Sequence, residues 1–174
     1  MSNGLPESVD AWRTVTARRI FQGRIGLDTM PRLAESLADT AGECEYWIGF
    51  DRDELGVAFL ELRAEATLPL VCQRTLNRFE LPVTIGQRLG LIRDEREEAA
   101  LPEGYEPVLV PADGALRLAD MIEDELILAV PVVPLSEHGL LVDDMVWQEA
   151  DTGAAGETAA ASPFAVLARL KANG

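Results

Sequence analysis

The sequence predicts an α+β fold: an antiparallel, hairpin-rich sheet, open or barrel-like, with two to three short helices and a flexible C-terminal linker. A chain of 174 residues suits a single core. Segments with period-two alternation follow one another, separated by polar turns, as in hairpins of half-buried strands. The helix–strand alternation that parallel crossovers need is absent, so a doubly wound sheet is not expected.

The first elements predicted are a strand at residues 15–25 and a short helix at residues 30–37. Asp28 or Thr29 can cap this helix, and Pro31 suits its first turn because proline is tolerated where no backbone donor is needed.

Three further strands are predicted at residues 43–50, 56–70 and 79–92. Apolar residues alternate with polar ones within the second of them, which is typical of a sheet with one buried face. Polar turns join the three strands as hairpins. Gly86 and Gly90 predict a bulge or bend in the third strand.

A charged loop at residues 94–107 and a short strand at 108–110 precede the main helix, predicted at 118–130. At about 100° per residue, Leu118, Ile122 and Leu126 share one arc of this helix. Glu125 falls in the same arc, whereas Glu123 falls on the other side.

The acidic triplet of the main helix is therefore expected to divide between core and solvent. Glu123 and Asp124 should face solvent, and Glu125 should be buried. A buried carboxylate needs a partner, and Arg74 or Arg78 of the sheet is the candidate by residue type.

The predicted domain covers residues 1–150, followed by a flexible linker at 151–161 that is small, polar and Gly-rich. Residues 162–174 predict a short helix. Phe164 and Leu167 share one face of it, and an isolated helix of this length is marginal in water. We therefore expect this face to pack either on a partner or on the chain's own domain.

Charge is uneven along the chain, whose net charge is −15. Residues 94–157 carry 17 acidic and two basic residues, whereas residues 1–93 are nearly balanced. Such a surface repels nucleic acid and attracts basic proteins, although solubility alone is an alternative explanation. The candidate partner-binding residues are Glu123, Asp124, Glu125, Phe164 and Leu167.

Direct RNA binding is the alternative function. It depends on several arginines of the N-terminal half converging on one sheet face, and the candidates are Arg18, Arg19, Arg24, Arg74 and Arg78. Against this alternative, only 6% of the residues are aromatic, so few rings are available to stack on bases.

Catalytic and metal-binding patterns are not found in the sequence. One histidine, His138, and two cysteines, Cys44 and Cys72, offer little for nucleophilic catalysis, and no phosphate-binding glycine loop is present. Thr75 stands where a second cysteine would close a CxxC pair with Cys72, so no structural zinc site is expected. We expect no enzyme activity and no cofactor.

A cytoplasmic location is expected from the same sequence. No apolar run approaches the roughly 18 residues that a membrane span needs, and the N-terminus does not have the pattern of a secretory signal. Two cysteines do not make a disulfide framework.

Several segments together resemble the YceD family, the large ribosomal RNA subunit accumulation proteins, from about residue 14 onward. The matching segments are CQR at 72–74, LPEGYEP at 101–107, MIEDELILAVPVVP at 121–134, SEH at 136–138, DMVW at 144–147 and PFAVLARLK at 163–171.

The resemblance implies a non-enzymatic factor that supports the accumulation of large-subunit ribosomal RNA. It implies as partner a ribosomal protein of the large subunit or a pre-ribosomal particle, with RNA contacted indirectly. Many family members have a second cysteine where this chain has Thr75, so a metal role does not carry over. No catalytic residues carry over either.

Overall fold

The computed structural model describes residues 4–136 of the chain. In chain order the elements are β1 (Val9–Asp10), α1 (Ala11–Thr16), β2 (Ile20–Gly26), a 3₁₀ turn (Leu27–Thr29), α2 (Pro31–Ala34), β3 (Glu43–Arg52), β4 (Ala58–Val71), β5 (Arg78–Ile92), a second 3₁₀ turn (Glu95–Ala100), β6 (Glu106–Leu109), β7 (Ala115–Leu116) and α3 (Leu118–Ala129). The predicted α+β class is confirmed. The predicted linker at 151–161 and C-terminal helix at 162–174 lie outside the described residues.

The main sheet has five strands in the order β2-β3-β4-β5-β6. Neighbouring strands are antiparallel except for β5 and β6, which are parallel. The sheet is open, with β2 and β6 as its edges, so the barrel-like alternative is not observed. Strands β1 and β7 form a separate two-stranded pair.

The hairpin of β4 and β5 pairs without interruption from Phe59 opposite Gly90 to Val71 opposite Arg78. The bulge predicted at the glycines is therefore wrong. Gly90 instead allows a close approach: a Cβ added there would lie 2.7 Å from a methyl carbon of Leu101. The glycine makes room for the segment that follows β5.

Residues 15–19, predicted as the start of a strand, are instead helix α1 and the turn after it, so this prediction is wrong. The helix begins because the Asp10 side chain accepts a hydrogen bond from the backbone N–H of Arg13 at 2.9 Å. Asp10 was the signal in the sequence for this helix start.

Helix α2 is shorter than predicted, and its N-terminus is not capped by the predicted residues Asp28 or Thr29. The free N–H groups of Arg32 and Leu33 donate to the carboxylate of Glu123, which belongs to α3. A distant side chain therefore supplies the cap.

Helix α3 lies where it was predicted and buries Leu118, Ile122 and Leu126 completely. These residues belong to the same hydrophobic cluster as Leu33 of α2 and the inward residues of β3 and β4. The opposite face of the sheet carries polar and charged side chains. No helix among residues 4–136 is long and apolar enough to cross a membrane.

Candidate interaction surfaces

Glu123 is the most enclosed acidic residue of α3, with 4% of its surface exposed. One carboxylate oxygen accepts hydrogen bonds from the N–H groups of Arg32 at 2.7 Å and Leu33 at 3.1 Å. The other accepts from the Arg32 guanidinium at 2.9 and 3.0 Å. Burial raises the pKa of Glu123, but these hydrogen bonds outweigh burial and leave the pKa below its ordinary value.

The predicted orientation of the acidic triplet is therefore wrong for Glu123, which is buried and not solvent-facing. Its arginine partner is Arg32. Arg74 and Arg78 were predicted as partners of Glu125, and neither forms an ion pair with it, so that prediction is wrong. Asp124 is exposed as predicted and also pairs with Arg32. The physical reason is that α3 packs against α2 as well as against the sheet, so its buried arc is wider than the apolar stripe.

Glu125 is half-buried and has no arginine partner among the described residues. Partial burial raises its pKa, and the nearby charges of Glu106 and Asp124 raise it further, while a hydrogen bond with Gln87 acts in the opposite direction. Three carboxylates therefore lie close together where α3 meets the edge of the sheet.

An acidic flank extends from the end of β5 to the start of β6. We define it as the exposed residues Glu95, Glu97, Glu98, Glu103 and Glu106. Glu97 accepts a hydrogen bond from the backbone N–H of Arg93. The other four make no ion pair with any residue in the described range, so their charges are free to act on a partner.

The five arginines proposed for RNA binding do not converge. Arg18 pairs with Asp51 near one end of β4, and Arg78 pairs with Asp39 at the other end. These two ends are separated by about 40 Å at 3.3 Å per residue.

The three remaining candidates are also dispersed. Arg24 pairs with Glu45 at 3.5 Å on β3. Arg19 lies over the ring of Phe21, with 5.3 Å from its Cζ to the ring centroid. Arg74 is exposed in the turn between β4 and β5. Three of the five guanidinium groups are thus partly neutralised by carboxylates.

The outward face of the sheet has an aromatic centre that was not predicted from the sequence. Trp47 of β3 and Arg63 of β4 are directly opposite in register, and the guanidinium carbon lies 5.2 Å from the indole centroid. The indole lies across Gly49, where an added Cβ would come within 2.4 Å of the ring. Neither residue was singled out in the sequence, because their contact depends on the register of β3 with β4.

A second stack lies farther along the same face. The Arg88 guanidinium carbon is 5.2 Å from the ring centroid of Phe59 and 5.6 Å from that of Tyr105. The Tyr105 hydroxyl donates a hydrogen bond to Asp53 at 3.0 Å. These contacts hold the loop before β6 against strands β4 and β5.

The turn between β4 and β5 is tied to the segment after α3. Gln73 donates its backbone N–H to the carbonyl of Pro134 at 2.9 Å, and the Cys72 sulfur accepts from the N–H of Ser136 at 3.5 Å. Hydrogen bonds from Ser136 and Thr75 lower the pKa of the Cys72 thiol to about 6. The sequence did not predict this lowered thiol pKa.

Three of the residues singled out from the sequence, His138, Phe164 and Leu167, lie outside the part that the structure describes. Within residues 4–136, no group of three or more histidine, cysteine, aspartate or glutamate side chains is arranged to hold a metal ion.

Comparison with known proteins identifies a family and a curated relative that this chain resembles. The model of a family described as "Large ribosomal RNA subunit accumulation protein YceD" matches residues 60–171. The chain is 30% identical to the large ribosomal RNA subunit accumulation protein YceD of Haemophilus influenzae over 171 residues, which is 96% of each chain. No solved structure matches it.

Proposed function

The chain belongs to the YceD family of large ribosomal RNA subunit accumulation proteins, and on this premise we propose that it acts by contacting a basic ribosomal protein or a pre-ribosomal particle. Family membership implies a role in the accumulation of large-subunit ribosomal RNA. Our proposal concerns the mode of action, which is binding without catalysis or a cofactor, in the cytoplasm.

The acidic flank is the observation that carries this proposal. Four of its glutamates are exposed and free of ion pairs with the described residues, in a chain whose net charge is −15. Carboxylates without internal partners attract basic surfaces and speed their encounter.

The residues of α3 contribute unequally to the proposed contact. Asp124 and Glu125 remain candidates, because Asp124 is exposed and Glu125 is half-buried near Glu106. We exclude Glu123 as a partner-binding residue, because Arg32 and Leu33 already donate hydrogen bonds to its carboxylate. Phe164 and Leu167 stay in the proposal as apolar contacts of the C-terminal segment.

The pKa and the hydrogen bonds of Glu123, the most enclosed carboxylate of α3, support a non-catalytic role. Glu123 sits in the kind of buried place where a general acid or base is often found. Its pKa is lowered, not raised toward neutrality, and four hydrogen bonds hold it to α2. It is therefore poorly suited to moving a proton.

The experiment that tests the proposal measures binding of purified large-subunit ribosomal proteins to the purified chain. The variant carries Glu95→Gln, Glu98→Gln, Glu103→Gln and Glu106→Gln. We expect binding of the basic partner to weaken roughly tenfold at low salt, since four exposed charges each contribute a few tenths of a kcal/mol.

A matched control removes the same charge elsewhere. It carries Glu7→Gln, Asp28→Asn, Glu35→Gln and Glu54→Gln, all exposed and outside the flank. The control should bind as the wild type does. Equal weakening in both variants would show that net charge, and not the flank, sets the affinity.

Direct RNA contact is the second candidate function, and the cluster that Arg88 forms with the rings of Phe59 and Tyr105 favours it. Planar arginine and aromatic groups can stack on exposed bases. Gel-shift titration with single-stranded ribosomal RNA fragments at low salt tests it. Binding that Arg88→Gln abolishes would support this function, and no shift at low salt would exclude it.

A further inference from the structure

The outward face of β2 to β5 forms a groove of about 840 Å³ around Trp47. Gln22 and Arg24 line it on β2, and Thr84 and Gly86 line it on β5. A Cβ added at Gly86 would meet nothing within 4 Å, so this side of the groove is open. Every described residue that lines the groove belongs to β2, β3, β4 or β5.

The centre of the groove already holds a guanidinium group. Arg63 stacks on Trp47, as a cation does over the face of an indole. Its charge is matched by Glu61, at 2.6 Å. Arg63 therefore shows, within the chain itself, how an arginine is bound by this indole and a neighbouring carboxylate.

The adjacent part of the groove has carboxylates in place of a cation. Glu45 and Glu65 are directly opposite each other on β3 and β4. Like charges in this position destabilise a sheet. Arg24 offsets them only weakly, since its contact with Glu45 is 3.5 Å long and both side chains are about two-thirds exposed. Glu65 has no ion pair within residues 4–136.

We propose that this groove binds an arginine side chain carried by an extended segment of the basic partner, between Trp47 and Glu65. The proposal rests on the proposed function for the nature of the partner and adds a second contact site, separate from the acidic flank. Four strands at about 4.8 Å spacing span roughly 14 Å, which an extended segment of about four to five residues crosses.

The charges of the groove favour a basic peptide over RNA. Arg63 is paired with Glu61, Arg24 is in weaker contact with Glu45, and Glu65 remains unpaired among the described residues. A phosphate backbone needs free basic groups to displace its counterions, and the groove offers fewer of these than it offers carboxylates.

The probe for the test is a synthetic peptide of about ten residues that alternates arginine and serine, long enough to cross the groove in extended form. Its affinity for the full-length chain is measured by calorimetry. We expect Glu65→Gln to weaken binding about two- to fivefold, as for one exposed ion pair. Trp47→Leu should weaken it about fivefold or more through loss of the cation–π contact.

Two controls make the result specific. Glu35→Gln removes an exposed glutamate far from the groove and should leave the affinity unchanged. The same peptide with glutamine in place of arginine should not bind. Equal affinities of Glu65→Gln, Glu35→Gln and wild type would overturn the proposal, as would binding of single-stranded RNA that Trp47→Leu abolishes while the peptide does not bind.

Failure of this proposal and failure of the proposed function are distinguishable. If Glu65→Gln leaves peptide binding unchanged but the flank variant still loses the ribosomal protein, only the groove is excluded. If neither the flank nor the groove affects capture of basic proteins, the proposed mode of action is excluded as well.

Discussion

At Glu123 one carboxylate closes the N-terminus of α2 and holds the guanidinium of Arg32. A carboxylate buried without partners would be costly, and here all the compensation comes from a helix 90 residues earlier in the chain. The carboxylate of Glu123 therefore links α3 to the N-terminus of α2.

Replacing this carboxylate by an amide tests its role. We expect Glu123→Gln to lower the free energy of unfolding by about 2–4 kcal/mol, because charged hydrogen bonds are lost and an amide nitrogen faces other donors. Asp124→Asn, at an exposed pair with the same arginine, should cost less than about 1 kcal/mol. Chemical denaturation of both variants checks this, and equal losses would contradict it.

The pH dependence of the same variant follows from the lowered pKa of Glu123. The stabilisation is complete above the unfolded pKa of about 4.5 and is lost as the pH falls through the lower folded value. The stability difference between wild type and Glu123→Gln should therefore shrink on acidification below that pH. A difference that is constant into the acid range would argue against an ionised carboxylate.

The Cys72 thiol gives a prediction in a different pH range. Its pKa is lowered from 9.0 to about 6 in the folded chain, so the thiolate's contribution is complete above pH 9 and lost as the pH falls toward 6. The stability difference between wild type and Cys72→Ala, measured by denaturation, should grow as the pH rises from 6 to 9. A difference that stays flat would show that no thiolate forms.

A matched thiol serves as the control for this prediction. Cys44 is also buried, but burial raises its pKa to about 11. The stability difference between wild type and Cys44→Ala should therefore be constant between pH 6 and 8 and should fall, not grow, as the pH approaches the ordinary thiol pKa of 9.0.

The sequence could predict the apolar contacts of α3 but not the burial of Glu123. Leu118, Ile122 and Leu126 follow from helical periodicity alone. Glu123 lies about 100° from Ile122, on a side that is buried only because α2 packs there. Tertiary packing decides which side of a helix a second element covers, and the periodicity of the sequence does not indicate it.

At the scale of elements, the hairpins of β3, β4 and β5 were predictable because alternation and polar turns are local signals. The parallel strand β6 was predicted as a strand, but its partner was not, since it pairs with β5 across the charged loop. Helix α1 was missed because a six-residue helix shows less than two full turns of periodicity.

The approach of Leu101 to Gly90 yields a prediction about how the loop after β5 is held. Gly90→Ala should lower the free energy of unfolding by about 1–3 kcal/mol, because the methyl group would overlap the Leu101 side chain. In the Leu101→Ala background the same substitution should cost clearly less. A double-mutant cycle by denaturation measures this, and purely additive costs would show that the two side chains do not compete for space.

At the scale of the whole molecule, the core, the arginine–aromatic contacts and the acidic flank are formed by different residues. The inward face of the sheet and three helices make the core, the outward face carries arginine–aromatic stacks, and the acidic flank projects unpaired carboxylates. The sequence predicted the excess of acids and their position in the chain. Which carboxylates stay free, and which are taken by Arg32, required the tertiary contacts.

The measurement that tests the central claim most directly is the level of large-subunit ribosomal RNA in cells that depend on this chain. Wild type, the four-glutamine flank variant and the matched four-charge control would be produced at equal protein levels. The account predicts that the control restores large-subunit ribosomal RNA relative to small-subunit RNA and that the flank variant does not. Full restoration by the flank variant would contradict the claim that the protein works through its acidic surface.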